Sequence, residues 1–423
     1  MTTRYADAVV CGSGVAGLAA ACALGRLGLD VALLEKTPRQ PLVPKGEVLQ
    51  PGSLHILAEW GALSALEERR AVRLNRLVAR QPDGAELLAM DFGLLGDERS
   101  WMLSHTYETI LDCLGDSLPG TVRWQRGVLV NDIVNDTDGR VAGVRAAVGR
   151  SEFDVRARFV VAADGMSSRL RKLSGMTAAP VAYGHRLLAV ELPGPPAAAD
   201  EVSAYITGRG LVMAYPLPDD RTRCYVQVAA DELRNADAAR LRRWCDELVE
   251  DVPALAPLAR RLQDAIGRRH LLKVWRYWAP SVVRPGIVLV GEAAHGVHPL
   301  AAQGMNTAIG DAHALAAHLS AVDTQKSVEV DRALESYEEQ RVDRIRDIHV
   351  MSHRAARMMT STSRGGRLLG KRLLSGTARS RRLRHQLTYN LSGLGMRPLS
   401  VLDRLFQLGV LPDRRAQPFP ATE

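Results

Sequence analysis

Between Gly291 and Asp311 the chain reads GEAAHGVHPLAAQGMNTAIGD, which sets Glu292, His295, His298 and Asp311 within one short stretch. Side chains of these types ligate metals or exchange protons. A structural or catalytic zinc needs a third ligand and suitable spacing, a pattern these residues do not make, so no metal site is expected. The same stretch follows an apolar run, Ile287 to Val290, and leads into a helical pattern from about Met305. It therefore reads as a strand end, a turn and a helix, the place where an open α/β sheet takes a ligand.

Two other stretches have the same form. DAVVCGSGVAG, Asp7 to Gly17, is an apolar run followed by Gly12-x-Gly14-x-x-Gly17, an Ala/Leu-rich helical run to about Gly28, and a second strand pattern ending at Glu35. Each glycine has a reason in dinucleotide binding: Gly12 for the tight turn, Gly14 for close approach of a pyrophosphate, Gly17 for helix–strand packing. The helix N-terminus then faces the phosphates. Glu35, about eighteen residues past the last glycine, stands where a carboxylate accepts ribose hydroxyls. FVVAADGMSSRLR, Phe159 to Arg171, carries another buried-looking strand into Asp164-Gly165, then Ser168 and Arg171. Taken alone, that segment would be equally well read as a plain strand and turn.

The totals limit what these elements can belong to. A chain of 423 residues, 46% hydrophobic and 24% charged, has ample material for a packed core and more than one lobe. The five cysteines are odd in number, scattered and never spaced CxxC, which suggests neither a disulfide framework nor a zinc site and fits reduced thiols in a cytoplasm. Ala6 to Leu34 is apolar, but Arg26, Asp30 and the glycines argue against a signal peptide or a membrane span. A net charge of +8 suits an anionic partner, whether nucleic acid, membrane or a phosphate-bearing cofactor.

Together the three motifs resemble the flavin-dependent monooxygenases with the para-hydroxybenzoate hydroxylase fold, over about the first 345 residues. The resemblance implies an α/β chain: a Rossmann-like FAD-binding domain (1–75, 101–180 and 270–345), an antiparallel β-sheet substrate domain (76–100 and 181–269), and a basic C-terminal helical segment (346–423). It implies non-covalent FAD held by Gly12, Gly14, Val15, Ala16, Gly17, Glu35, Lys36, Lys45, His105, Val130, Asp164, Glu292, Pro299, Gln303, Gly304, Met305 and Asn306. Lys45 stands where arginine is commoner, Glu292 where aspartate is usual, and Ala302 where glycine is frequent. His105 and Tyr107 lie where the family often places an arginine or glutamine.

GLVMAYPL and RTRCYVQV read as antiparallel strands joined by the turn PDDR. By the same resemblance Arg223 contacts the flavin and helps it move, and Tyr225 lies at the substrate. The partner strand carries Tyr215 and Leu217 where a serine and an arginine would hold a substrate carboxylate. A buried carboxylate without its arginine is costly, so a larger apolar aromatic substrate is expected, against Met213, Tyr215 and Tyr225.

The implied activity is a single-component monooxygenase. NAD(P)H is the transient electron donor, O2 the oxidant through a C4a-hydroperoxyflavin, and the product a hydroxylated or epoxidised aromatic or polyunsaturated natural product. Two alternatives stay open: an FAD-dependent reductase of isoprenoid double bonds, and a non-catalytic nucleotide-fold protein binding a lipidated partner. From Arg341 onward the chain combines helical apolar spacing with many arginines. Helices packed on the flavin domain with a solvated basic face would account for this. The sharper reading is peripheral contact with the inner face of the membrane. No nucleic-acid partner is expected, since aromatic interleaving is lacking.

Overall fold

The computed structural model describes residues 2–39, 46–411 and 413. Its first layer is a six-stranded sheet in the order Val283–Arg284, Ile287–Leu289, Phe159–Ala162, Ala8–Cys11, Val31–Glu35 and Val122–Arg126. All pairs are parallel except the first. Strands covered on both faces read as continuous apolar runs; AVVC, FVVA and IVL are buried throughout.

The register explains why three separated motifs act together. Ala162 is paired directly with Cys11 on one side and with Leu289 on the other. The turns that follow, beginning at Gly12, Ala163 and Val290, therefore leave the sheet side by side at its carboxyl edge. Val15–Arg26 and Gln303–Leu319 are the helices that follow the outer two turns, and they pack against each other.

The second layer is an eight-stranded sheet in the order His295–Gly296, His270–Trp278, Val181–Pro193, Arg221–Ala229, Gly210–Leu217, Glu201–Thr207, Arg76–Arg80 and Glu86–Asp91. It is antiparallel apart from the Glu201–Thr207 pairing with Arg76–Arg80, which is parallel. Asp219 and Asp220 both take positive φ, 59° and 51°, in the PDDR turn, the geometry that joins twisted hairpin strands. His270–Trp278, expected within the flavin-binding part, is hydrogen-bonded into this sheet. One face of the sheet packs on the helices Ala238–Asp251 and Ala259–Ala265 around the fully buried Trp244. The other carries Leu77, Leu187, Met213, Tyr215 and Tyr225 in a second core cluster.

Two smaller sheets complete the frame. Thr2–Tyr5 joins Ser151–Arg156, Val141–Val148 and Leu129–Asn135, while Val48–Leu49 pairs with Met102–Ser104 and so fixes the loop before Gln50. The helix Ser327–Met359 runs unbroken through the expected boundary at 345. Beyond it, Arg364–Arg379 and Arg381–Ser392 pack on the edge strand Glu86–Asp91. Their Leu374 and Leu391 join the core of the eight-stranded sheet. No helix among the described residues is long and apolar enough to cross a membrane.

Candidate active site

A cavity of about 670 Å³ opens between the two sheets, at the carboxyl edge of the first. From that edge come Gly12, Gly14, Val15, Ala16, Glu35, Lys36, Asp164, Glu292, Pro299, Gly304 and Met305, with Val130 beside them. From the second sheet come Leu77, Leu187, Val202, Met213, Tyr215 and Tyr225, with Glu47, Met102 and Leu300 closing the space.

The glycine turn fits a nucleotide for reasons visible in its backbone. Gly12 has φ +102°, and a Cβ there would lie 2.4 Å from the Ala163 carbonyl oxygen. On Gly14, by contrast, a Cβ would meet only the Tyr107 hydroxyl at 3.7 Å, so this backbone is bare toward the cavity. The helix behind it starts at Val15 with no side-chain cap. The helix Gln303–Leu319 likewise has no side-chain cap, its start set by Ala302 at φ 51°. Uncapped N-termini present free N–H groups and the positive end of the helix dipole. Two of them on one cavity suit a pyrophosphate and an electron-rich ring.

The acids around this end are held in place. Glu35 accepts from the Ser13 and Thr37 amides, each at 2.8 Å, and from the Thr37 hydroxyl at 2.6 Å. Burial pushes its carboxyl up, but these hydrogen bonds outweigh it and leave the group below the ordinary range. Asp164 takes the Ser168 hydroxyl at 2.5 Å and the amides of Arg169 and Leu170 at 2.8 and 3.1 Å. Arg171, buried behind it, donates to the Ala293 carbonyl at 2.6 Å and so ties the second motif to the third.

Five expected site residues do not line the cavity. Gly17 packs against Gly12 from behind. His105 has both ring nitrogens engaged: Nδ1 accepts from the Thr106 amide at 2.8 Å, leaving Nε2 to donate to the Arg69 carbonyl at 2.9 Å. It is Tyr107, at the start of the next helix, that lines the cavity. Asn306 accepts from the Gln50 amide at 2.8 Å and donates to the Val48 carbonyl at 3.0 Å, tying the 46–50 loop to the helix start. Gln303 donates to the Leu391 carbonyl at 3.0 Å. Arg223 is buried in an ion pair with Glu47, its Nε and Nη2 donating at 2.8 and 2.7 Å. Lys45 lies outside the described residues.

The opening stretch divides its polar groups into two structural sets. Asp311 is fully buried and accepts from the Gly291 amide, from Nε2 of His295 at 2.7 Å, and from Arg341. His298 faces His185 instead, with Nε2 to Nε2 at 3.0 Å. Among the described residues no group of three or more His, Cys, Asp or Glu side chains is placed to hold a metal.

A sequence model described as FAD binding domain matches residues 5–352. The chain belongs to this family of FAD-dependent monooxygenases. It is 30% identical over 325 residues to 6-methylpretetramide 4-monooxygenase of Streptomyces rimosus, covering 74% of each chain. It is 26% identical over 320 residues to para-nitrophenol 4-monooxygenase of Pseudomonas sp. (strain WBC-3), covering 74% of this chain and 77% of the other. In fold it superposes on pqsL, a probable FAD-dependent monooxygenase from Pseudomonas aeruginosa, with a TM-score of 0.76 at 24% identity, over 86% of this chain and 98% of that one. In this flavoenzyme the six-stranded sheet and the eight-stranded sheet face each other across the cavity.

Glu47 is a charged cavity residue that the sequence reading did not single out, and of the pair His105 and Tyr107 it is the tyrosine that reaches the cavity. The only sequence signal for Glu47 is an acid inside KGEVLQPG, a segment in which the resemblance drew attention to Lys45 instead.

Proposed function

We propose that the enzyme hydroxylates or epoxidises a neutral, hydrophobic aromatic or polyunsaturated natural product, bound between the glycine-rich edge and the eight-stranded sheet. The observation that carries this reading is the far wall of the cavity. Leu77, Leu187, Val202, Met213 and Leu300 make it apolar, and the buried cation behind it, Arg223, is already paired. The relatives named for aromatic substrates support it.

Bound FAD supplies the redox chemistry, using NAD(P)H and O2 to put one oxygen atom on the substrate and release the other as water. The chain holds that group and shapes the space around it. The Gly14 to Ala16 amides would take the pyrophosphate, Glu35 would take ribose hydroxyls, and Lys36 and Val130 would flank the adenosine. Asp164 and Glu292 would hold the cofactor between its two ends, and Pro299, Gly304 and Met305, with the uncapped helix start, would form the wall for its redox-active ring. Gln303 and Asn306 act by fixing that helix start. The apolar walls exclude water and orient the substrate ring for transfer. In this reading Arg223 anchors Glu47, and movement of the flavin is not assigned to it.

A substrate panel of phenols and polyenes with purified yellow enzyme, read by product mass, tests the proposal. A gain of one oxygen supports it, whereas a gain of two hydrogens would make the protein a reductase.

A second reading, peripheral contact with an anionic membrane, is favoured by where the charge lies. Residues 364–411 carry ten lysines and arginines against one aspartate, enough to account for the whole net charge of +8. Leu368 and Leu369 on the helix Arg364–Arg379, Val401 and Leu402 on the helix Val401–Gln407, and Val410 and Leu411 just after it are exposed. Exposed leucines beside arginines suit a lipid interface better than a nucleic acid. Salt-sensitive flotation with phosphatidylglycerol vesicles, lost in Leu368→Asp/Leu402→Asp, would support it. Such contact leaves the protein without a membrane-crossing segment among the described residues, consistent with a cytoplasmic enzyme whose five buried cysteines are free.

A further inference from the structure

Tyr215, Arg223 and Glu191 form one row across three adjacent antiparallel strands, each paired directly with the next. Glu47 reaches this row from the loop on the flavin side. Its Oε2 accepts from Arg223 Nε and from the Tyr215 hydroxyl, both at 2.8 Å, and its Oε1 accepts from Arg223 Nη2 at 2.7 Å. The Glu47 side chain is 1% exposed and that of Arg223 7%. On the other side Glu191, 36% exposed, touches Arg223 at 3.1 Å and is itself paired with Arg221. The rings of Tyr215 and Tyr225 stack beside this group at 6.2 Å, and Glu47, Tyr215 and Tyr225 all line the cavity.

An arginine fork with a tyrosine hydroxyl at the wall of an aromatic-lined pocket is the usual way to recognise an aromatic carboxylate. Here the protein's own carboxylate occupies it. We propose that Glu47 is a specificity-determining residue, an internal carboxylate that fills a latent aromatic-acid subsite and so directs the enzyme to neutral rings. The inference rests on the reading of the apolar end as the substrate site.

Two physical consequences support this assignment. A buried guanidinium that has a bidentate partner gains little from a second anion, and a substrate carboxylate placed next to Glu47 meets a like charge in a poorly solvated space. The loop is also fixed independently of the side chain, since the Glu47 carbonyl accepts from the His105 amide at 3.0 Å and Val48 pairs with Ser104. Truncating Glu47 therefore empties the subsite without releasing the backbone, leaving Arg223 and Tyr215 to take an incoming carboxylate.

The test titrates benzoate and 2-naphthol into flavin-loaded wild type, Glu47→Ala and Glu47→Ala/Arg223→Met, following the flavin absorbance and the melting temperature. Wild type is expected to bind 2-naphthol but not benzoate. Glu47→Ala should gain benzoate affinity on the order of 100-fold and melt higher in its presence, and the double variant should lose that gain. Should Glu47→Ala not retain flavin, Glu47→Gln removes the charge while keeping the shape, and a smaller gain is expected. No gain in either variant that still binds 2-naphthol, or benzoate binding by wild type, overturns the proposal. Failure of wild type to bind 2-naphthol would instead count against the substrate-site reading beneath it.

Discussion

A Cβ built on Gly17 would lie 1.7 Å from the carbonyl oxygen of Gly12, because the first turn of the helix is packed directly on the strand end it follows. At Gly14 the added atom would have only the Tyr107 hydroxyl within reach, at 3.7 Å. Two alanine substitutions in one motif should therefore fail differently. Gly17→Ala forces backbone apart and should lower the melting temperature of the flavin-free protein. Gly14→Ala should leave that temperature nearly unchanged while weakening FAD binding on the order of tenfold or more, since the methyl group occupies cofactor space. Calorimetry on both apo variants checks the contrast; equal effects on folding would contradict it.

Asp311 is the acid that the opening stretch could have used for chemistry, and it is spent on structure. The charges of Arg341 and His295, together with their hydrogen bonds, outweigh burial and hold its carboxyl far below the usual range. Asp311→Asn leaves Arg341 buried without its counter-charge, a loss of about 3–5 kcal/mol. Asp311→Leu/Arg341→Met should be less destabilised than Asp311→Leu alone, because the double change removes both charges. Urea unfolding of the three variants decides it.

Asn306 shows how a residue outside the cavity governs it. Its side chain bridges the Gln50 amide and the Val48 carbonyl, about 250 positions away in sequence, to the start of the second uncapped helix. Asn306→Ala strands two buried backbone groups, costing about 1–3 kcal/mol. The loop carrying Glu47 should loosen with it. FAD dissociation should accelerate in this variant, with the enzyme's product unchanged; unaltered flavin retention would count against the bridging role.

The three strand-turn-helix motifs were legible because their grammar is local. Each apolar run and the glycine turn at its end lie within a few residues, Glu35 follows only one helix and one strand later, and the parallel register of Cys11, Ala162 and Leu289 then brings the turns together. The Glu47–Arg223 pair was not legible, since its members are 176 positions apart and neither neighbourhood signals the other. His105 and Tyr107 are two residues apart at a helix start, and which one faces the cavity depends on Thr106 capping that helix and on the Arg69 carbonyl capturing the histidine. Thr2–Tyr5 escaped notice because every residue in it is exposed, so it carries no apolar alternation. The basic C-terminal helices showed their amphipathic spacing, but not that Leu391 would reach back to hold Gln303.

His298 makes stability depend on pH in a definite direction. It is fully buried, and the Leu300 amide donates to its Nδ1 at 3.1 Å, which places the proton on Nε2, facing His185. Burial first, then the positive charges that His185 and His353 can carry, pulls its pKa from 6.5 down to about 3. Burial and Arg276 likewise take His349 down to about 4. In the unfolded chain both rings take up a proton near 6.5, so between there and the folded values the unfolded state binds more protons. Folding stability is then complete above about pH 6.5 and falls as the pH drops, by up to about 1.4 kcal/mol per pH unit for each ring. Urea midpoints should change little from pH 7.5 to 6.5 and decline clearly from 6.5 to 5. His298→Gln keeps an acceptor for the Leu300 amide but cannot titrate, so its decline should be shallower, with His349 and its neighbours supplying what is left. A variant that tracks the wild-type slope would show that the buried ring is protonated in the native state.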